Sequence, residues 1–188
     1  HVRPEQLIVT LPLGVESEKI KAIVPEHFDR PTIISVGRLV TYKRIEDLLQ
    51  AFNDPFFATM KLLIIGSGDE AGRLKSIANA MGLSDRIEWR GFVADSQQVL
   101  NAMAGATVFC LTSEVEGFGI VTIEAMACGL PYVSSNIPAT REVTDGGVGG
   151  RLYPVGDVAA LRTSLRELLS NQSTRKILRH QGTSFVQK

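Results

Sequence analysis

Cysteine is scarce in this chain, with only two in 188 residues. Cys110 and Cys128 both sit inside apolar runs. No disulfide framework is read from them, and a reducing, cytoplasmic compartment is the expectation. No run of 18 apolar residues occurs, so no membrane-spanning helix is expected. An excess of charge is also lacking: 20 Lys and Arg balance 20 Asp and Glu. Zero formal charge argues against a nucleic-acid binder, which carries a basic footprint, and against a polybasic membrane surface. The three histidines, His1, His27 and His180, are too scattered for a metal cluster. Seventeen glycines and eight prolines are spread without a repeat, which excludes low complexity. An initiator methionine is absent too. The chain starts His1-Val2-Arg3-Pro4 and is expected to be processed or excised from something longer.

What is present is one globular domain's worth of chain, 44% apolar and 21% charged. Short β-branched runs recur: Leu7 to Thr10, Thr32 to Val36, Leu62 to Ile65, Ile87 to Trp89, Thr107 to Leu111 and Tyr132 to Ser134. Several are apolar throughout rather than alternating, as parallel strands covered on both faces require. Helical spacings lie between them. They are Ile45, Leu48, Leu49, Phe52; then Leu74, Ile77, Ala78, Met81; then Val99, Leu100, Met103. A long C-terminal helix follows on Val158, Leu161, Leu165, Leu168 and Leu169, with Asp157 as its cap or first-turn anion. Strand–helix alternation of this kind predicts an α/β fold: a Rossmann-like, doubly wound parallel sheet of about six strands flanked by helices. Ligands of such sheets bind where the strands' carboxyl ends lead into helices.

Three of those loops carry chemistry. After Val36 comes Gly37-Arg38-Leu39-Val40-Thr41-Tyr42-Lys43-Arg44. Cations at the mouth of a helix are electrostatically poor unless an anion is bound; a solvated basic turn is the alternative. After Ile65 comes Gly66-Ser67-Gly68-Asp69-Glu70, a partial dinucleotide fingerprint without its third glycine. Asp69 as a helix cap explains that loop almost as well. The third loop runs from Ser113 through Glu116-Gly117-Phe118-Gly119-Ile120-Val121 into a helix. From Gly117 to Pro131 its only charge is Glu124. A helix apolar nearly all round is expected to be buried, and a lone carboxylate on it needs a polar partner. A structural partner or a ligand's hydroxyl pair would serve. Gly117 and Gly119 let backbone N–H groups approach a ligand at the helix start.

Glu116 and Glu124, with seven residues between them, stand inside Glu116-Gly117-Phe118-Gly119-Ile120-Val121-Thr122-Ile123-Glu124-Ala125-Met126-Ala127-Cys128-Gly129-Leu130-Pro131. This resembles the E-x7-E signature of retaining glycosyltransferases. The specific likeness is to the C-terminal, nucleotide-sugar-binding domain of the GT-B fold in glycosyltransferase family 4, also called glycosyl transferases group 1. Other segments agree in order. Gly14-Val15 resembles the family's interdomain turn, and Val36-Gly37-Arg38-Leu39 with Lys43 its phosphate loop. Gly66-Ser67-Gly68 and Arg90-Gly91-Phe92-Val93 resemble its donor-site loops. Asp145-Gly146, Gly149-Gly150 and Pro154 resemble its C-terminal consensus. Two segments depart from the family pattern: Pro12-Leu13-Gly14-Val15-Glu16, and Ile137 to Arg141 before Glu142.

The resemblance implies roles. Arg38 and Lys43 would hold the donor diphosphate and stabilise charge on the leaving group. Glu116 would contact hydroxyls of the transferred sugar, and Glu124 those of the ribose. Backbone around Gly117, Phe118, Gly119, Ile120 and Val121 would touch sugar and diphosphate. Gly66 would admit the donor closely, and Arg90, Phe92 and Val93 would present backbone to the base. No metal and no cofactor is implied, and no Asp-x-Asp motif occurs. The implied partners are a nucleotide-sugar donor and a glycan or lipid-linked acceptor. The acceptor would be read by an N-terminal domain absent from residues 1–188, and peripheral association with a membrane would belong to the longer parent. No nucleic acid is implied. Alone, this donor-binding domain is expected to transfer no sugar. The alternatives are a sugar-nucleotide 2-epimerase-like isomerase on the same scaffold and a non-catalytic nucleotide-binding module.

Overall fold

The structure, a computed structural model, describes residues 17–187. The expected strand at residues 7–10 and the turn at Gly14-Val15 lie outside them. A short helix α1 (Ser17–Lys21) precedes β1 (Thr32–Val36), α2 (Ile45–Phe52), β2 (Lys61–Ile65), α3 (Ala71–Ala80) and β3 (Ile87–Gly91). Then come α4 (Ser96–Gly105), β4 (Val108–Leu111), α5 (Ile120–Ala127), β5 (Tyr132–Ser135), α6 (Pro138–Val143) and β6 (Gly150–Tyr153). Helices α7 (Val158–Ser170) and α8 (Gln172–Val186) close the described chain.

The six strands form one sheet in the order β3-β2-β1-β4-β5-β6, every pairing parallel. Side chains on a strand alternate between faces, so an unbroken apolar run supplies two cores at once. In β1, Ile33 joins one core and Ile34 the other; in β2, Leu62 and Ile64 oppose Leu63 and Ile65. Leu48, Leu49 and Phe52 of α2 and Leu161, Leu165 and Leu168 of α7 cover the first face. Leu100 and Met103 of α4 and Ile123 and Met126 of α5 cover the second. The apolar spacings read from sequence for α2 and α7 are therefore the buried stripes. Asp157 caps α7 as expected, its carboxylate accepting the Ala160 N–H at 2.9 Å. Both cysteines are free thiols.

Strand β6 is the element the sequence did not announce. Gly150 and Arg151 interrupt its apolar pattern, and among the described residues it lies at the sheet edge, paired with β5 alone. Gly150 is required there: a Cβ would come within 2.5 Å of the Tyr132 ring.

The chain reverses its direction of travel across the sheet between β1 and β4, which lie side by side although β2 and β3 intervene in sequence. Loops leaving the two strands diverge there and open a crevice, the position where open parallel sheets bind ligands.

Candidate functional site

The crevice is floored by three loops stitched together through backbone. Gly37 N–H donates to Ile65 O at 3.0 Å, Leu39 N–H to Ser67 O at 2.9 Å and Gly66 N–H to Gly91 O at 2.7 Å. Gly66, with φ +142°, packs so closely on the first loop that a Cβ would sit 1.8 Å from Gly37 O. Its close approach is thus to a neighbouring loop, a packing reason for glycine that holds without any ligand.

Across the crevice, Thr112, Ser113 and Glu114 leave β4 and fasten the opposite wall. Thr112 Oγ1 donates to Lys43 O at 2.7 Å, and Glu114 N–H to Tyr42 O at 2.8 Å. Ser113 Oγ donates to Glu116 Oε1 at 2.6 Å. The same oxygen accepts Lys43 Nζ at 2.5 Å. The Lys43 and Glu116 side chains are only 13% and 11% exposed, so this ion pair is shielded from water and stronger than a surface pair. Arg38 is exposed and donates to the Tyr42 hydroxyl; Tyr42 lies between the two cations, each 5.9 Å from its ring centre.

Two adjoining cavities share Arg38. One, of ≈ 410 Å³, is lined by Arg38, Tyr42, Lys43, Val115, Glu116 and Gly117. The other, of ≈ 240 Å³, has a mostly apolar wall that includes Val36, Ile65, Gly66, Phe92, Val93 and Val99. Phe92 is 75% exposed, an aromatic face left open to solvent. A charged chamber and an apolar one, joined at an arginine, match a ligand with a hydroxylated end, an anionic middle and a flat apolar end.

Gly119 (φ +80°) starts α5 with no side-chain cap, and the Ile120 and Val121 N–H groups donate to no described residue. That free first turn carries positive partial charge toward an anion. The helix is buried along Thr122, Ile123, Ala125 and Met126, but Ile120, Val121, Glu124 and Ala127 are only half-buried. The expectation of a helix buried all round is corrected: one stripe of α5 is left uncovered, and Glu124 lies on it. No hydrogen bond reaches the Glu124 carboxylate among the described residues. Burial pushes its carboxyl up from the ordinary range, opposed by the charge of Lys19 on α1. The neighbouring Cys128 thiol is pushed up to about 12 by burial and then by the Glu124 charge.

Two residues that looked like ligand groups are otherwise engaged. Arg44 adopts φ 49° and bonds Asp47 through Nε at 2.8 Å and Nη2 at 3.2 Å, so it faces away from Lys43. The basic loop therefore offers two cations to the crevice, not three. Arg90 sits at a register shift between β2 and β3. Its guanidinium grips Glu26 by two bonds of 2.8 Å and Glu88 by another of 2.8 Å, raising its pKa above the ordinary arginine value. Its side chain is thereby taken up within the protein. Asp69 does not cap α3; Glu70 occupies that position and bonds Arg73 at 2.6 Å.

Tyr42, Thr112 and Ser113 belong to the site and were given no role from sequence. The available signal was a Thr-Ser pair directly after an apolar strand run, at the point where a strand feeds a ligand loop. A further cleft of ≈ 400 Å³ lies between α2 and α3. Both of its arginines are taken up by carboxylates, as Arg44–Asp47, Arg73–Glu46 and Arg73–Glu70, so no unpaired cation there faces an anionic ligand. Among the described residues no cluster of His, Cys, Asp or Glu could hold a metal ion, and no helix is long and apolar enough to cross a membrane.

Known proteins resemble this chain in sequence and in fold. The chain is 34% identical to the phosphatidyl-myo-inositol mannosyltransferase of Mycobacterium leprae, over 96% of its own length and 49% of the relative's. It is 30% identical to the N-acetyl-alpha-D-glucosaminyl L-malate synthase of Bacillus anthracis, over 74% of this chain and 36% of that one. Among solved structures, the sucrose-phosphate synthase of Thermosynechococcus elongatus superposes with a TM-score of 0.79 at 28% identity, covering 89% of this chain and 45% of that one. Anabaena HepE, solved with UDP, has the same fold, with a TM-score of 0.75 at 23% identity over 84% and 44% of the two chains. The chain thus spans about half the length of the curated relatives it matches. The profile of one family covers residues 16–185. With its six-stranded parallel sheet and two-glutamate loop, this chain belongs to the family of glycosyl transferases group 1.

Proposed function

We propose that this chain is the donor-binding domain of a retaining glycosyltransferase that moves a hexose from a nucleotide-diphosphate sugar to a glycan or lipid-linked acceptor. The observation that carries the reading is the pair of cavities meeting at Arg38, one charged around Lys43 and Glu116 and one apolar around Phe92 and Val93. The base lies in the apolar chamber and the sugar in the charged one. The diphosphate bridges them past Arg38, toward the free amides of Ile120 and Val121.

Each residue then has work suited to its chemistry. As the bond to the anomeric carbon breaks, negative charge grows on the departing diphosphate. Arg38, Lys43 and the first turn of α5 are fixed positive groups placed to receive it. No metal is needed for that charge. Glu116 accepts a hydrogen bond from a sugar hydroxyl and orients the reacting carbon; Glu124 accepts the ribose hydroxyls. The acceptor is supplied by a second domain that closes over the crevice, and transfer requires it. Two relatives bear names of glycosylation reactions, and a structural neighbour holds UDP, which supports a nucleotide-sugar donor.

Calorimetric titration with UDP, GDP and ADP at low salt tests the reading. One nucleotide should bind preferentially, and Lys43→Ala and Glu124→Ala should both weaken it. Absence of binding by all three at millimolar concentration contradicts it.

A further inference from the structure

Glu116 has two carboxylate oxygens, and the protein treats them differently. Oε1 accepts both Lys43 Nζ at 2.5 Å and Ser113 Oγ at 2.6 Å. Oε2 has no hydrogen-bond partner among the described residues. Ser113 is wholly buried, and so is Ser135 at the end of β5. Ser135 Oγ donates to Ser113 O at 2.5 Å, holding the backbone from which the Ser113 hydroxyl reaches out. The adjacent Thr112 points the other way along the strand end and pins the backbone of Lys43 through its carbonyl at 2.7 Å. Both members of the ion pair are thereby held by consecutive hydroxyls that issue from one strand.

We propose that Ser113 is a positioning residue: backed by Ser135, it saturates Glu116 Oε1 so that Oε2 alone is presented to the hydroxyl of the bound sugar. The inference rests on the proposed donor site and says how one of its residues is set. A carboxylate held only by Lys43 can turn about its last torsion, whose energy well is broad, and offer either oxygen to the lysine. A second donor on the same oxygen removes that freedom before the ligand arrives. Preorganisation of this kind lowers the ordering cost at binding. It bears on the sugar and not on the nucleotide, because Ser113 touches neither the apolar chamber nor Arg38.

The test compares affinity for a nucleotide diphosphate and its sugar conjugate: UDP with UDP-glucose, GDP with GDP-mannose, ADP with ADP-glucose. The pair that wild-type protein binds best is then taken to Ser113→Ala, Ser113→Thr and Ser135→Ala. Ser113→Ala should weaken the sugar conjugate about tenfold, the scale of one hydrogen bond to a charged group, while leaving the plain nucleotide within about twofold. Ser113→Thr keeps the hydroxyl and should restore the difference. Ser135→Ala should show the same selective loss at smaller size, and it keeps the test alive should the threonine variant fail to fold. Equal weakening of both ligands, or a lower melting temperature with no change in their ratio, overturns the proposal. So does a wild-type protein that gains nothing from the sugar in any pair, although nucleotide binding then still stands. Failure to bind any of the six ligands removes the donor-site reading and this inference with it.

Discussion

Glu116 and Glu124 come from one motif, eight positions apart, yet the fold gives them opposite treatment. Glu116 sits in a loop where a lysine and a serine already satisfy one of its oxygens, at 2.5 and 2.6 Å. Glu124 sits on the uncovered stripe of α5 with no hydrogen bond among the described residues, and burial pushes its carboxyl up. The loop carboxylate is anchored before any ligand comes. The helix carboxylate has no such anchor among the described residues. Under the proposed function, the difference divides labour between a carboxylate fixed in advance and one left open to a ligand. Leaving a polar group under-satisfied costs stability, and a ligand that satisfies it recovers that cost.

The largest effect expected from breaking this contrast comes from Glu116→Ala in the longer, sugar-transferring parent that the proposed function implies. Sugar transfer should fall on the order of 100- to 1,000-fold, the scale for losing one preorganised electrostatic contact to the transition state. Steady-state kinetics on purified variant checks it. Lys43→Ala removes the proposed diphosphate contact and leaves Glu116, among the described residues, with Ser113 as its one donor. Nucleotide affinity should drop roughly 10- to 100-fold, and stability by about 1.5–3 kcal/mol, as for losing a hydrogen bond to a charged group. Titration and urea unfolding read the two separately.

Glu124→Gln sharpens the contrast, because stability should move the other way. A raised carboxyl pKa means that the folded state holds its proton more tightly than the unfolded chain. That stabilisation is full at acid pH and is lost as pH rises through the raised value. At neutral pH the ligand-free Gln variant should therefore melt no lower than wild type, while binding nucleotide about tenfold more weakly through loss of charge-assisted hydrogen bonds. Wild-type affinity should decline as pH falls through that same raised value, and the variant should be flat there. A melting series and titrations across the acid-to-neutral range decide it. The smallest effect is expected of Arg44→Ala. Its partner is Asp47 on α2, at 2.8 Å, and nucleotide affinity should stay within about twofold of wild type.

The sequence made the scaffold readable because burial on both faces of a parallel sheet leaves continuous apolar runs, as in Thr32 to Val36 and Leu62 to Ile65. It hid β6, where Gly150 meets the Tyr132 ring and Arg151 faces Glu167 at 2.7 Å, so packing and an ion pair replace an apolar run. The candidate loops were recognisable from their glycines and charges. Their internal accounts were not. Arg44 and Lys43 are neighbours in sequence, but the positive φ at Arg44 sends one toward Asp47 and leaves the other facing Glu116, 73 residues away. Ser113 reads as an ordinary loop serine until β5 is laid beside β4 and Ser135 comes up behind it. Such roles depend on which strands are adjacent, and no local pattern records that.

The central claim is that the nucleotide sugar lies in the crevice between β1 and β4. Mapping backbone amide shifts by NMR as the preferred nucleotide is titrated locates it directly. Shifts should gather on Gly37 to Lys43, Gly66 and Ser67, Phe92 and Val93, and Gly117 to Glu124. Shifts gathered instead around Glu46, Gln50 and Arg73, in the cleft between α2 and α3, would contradict the account.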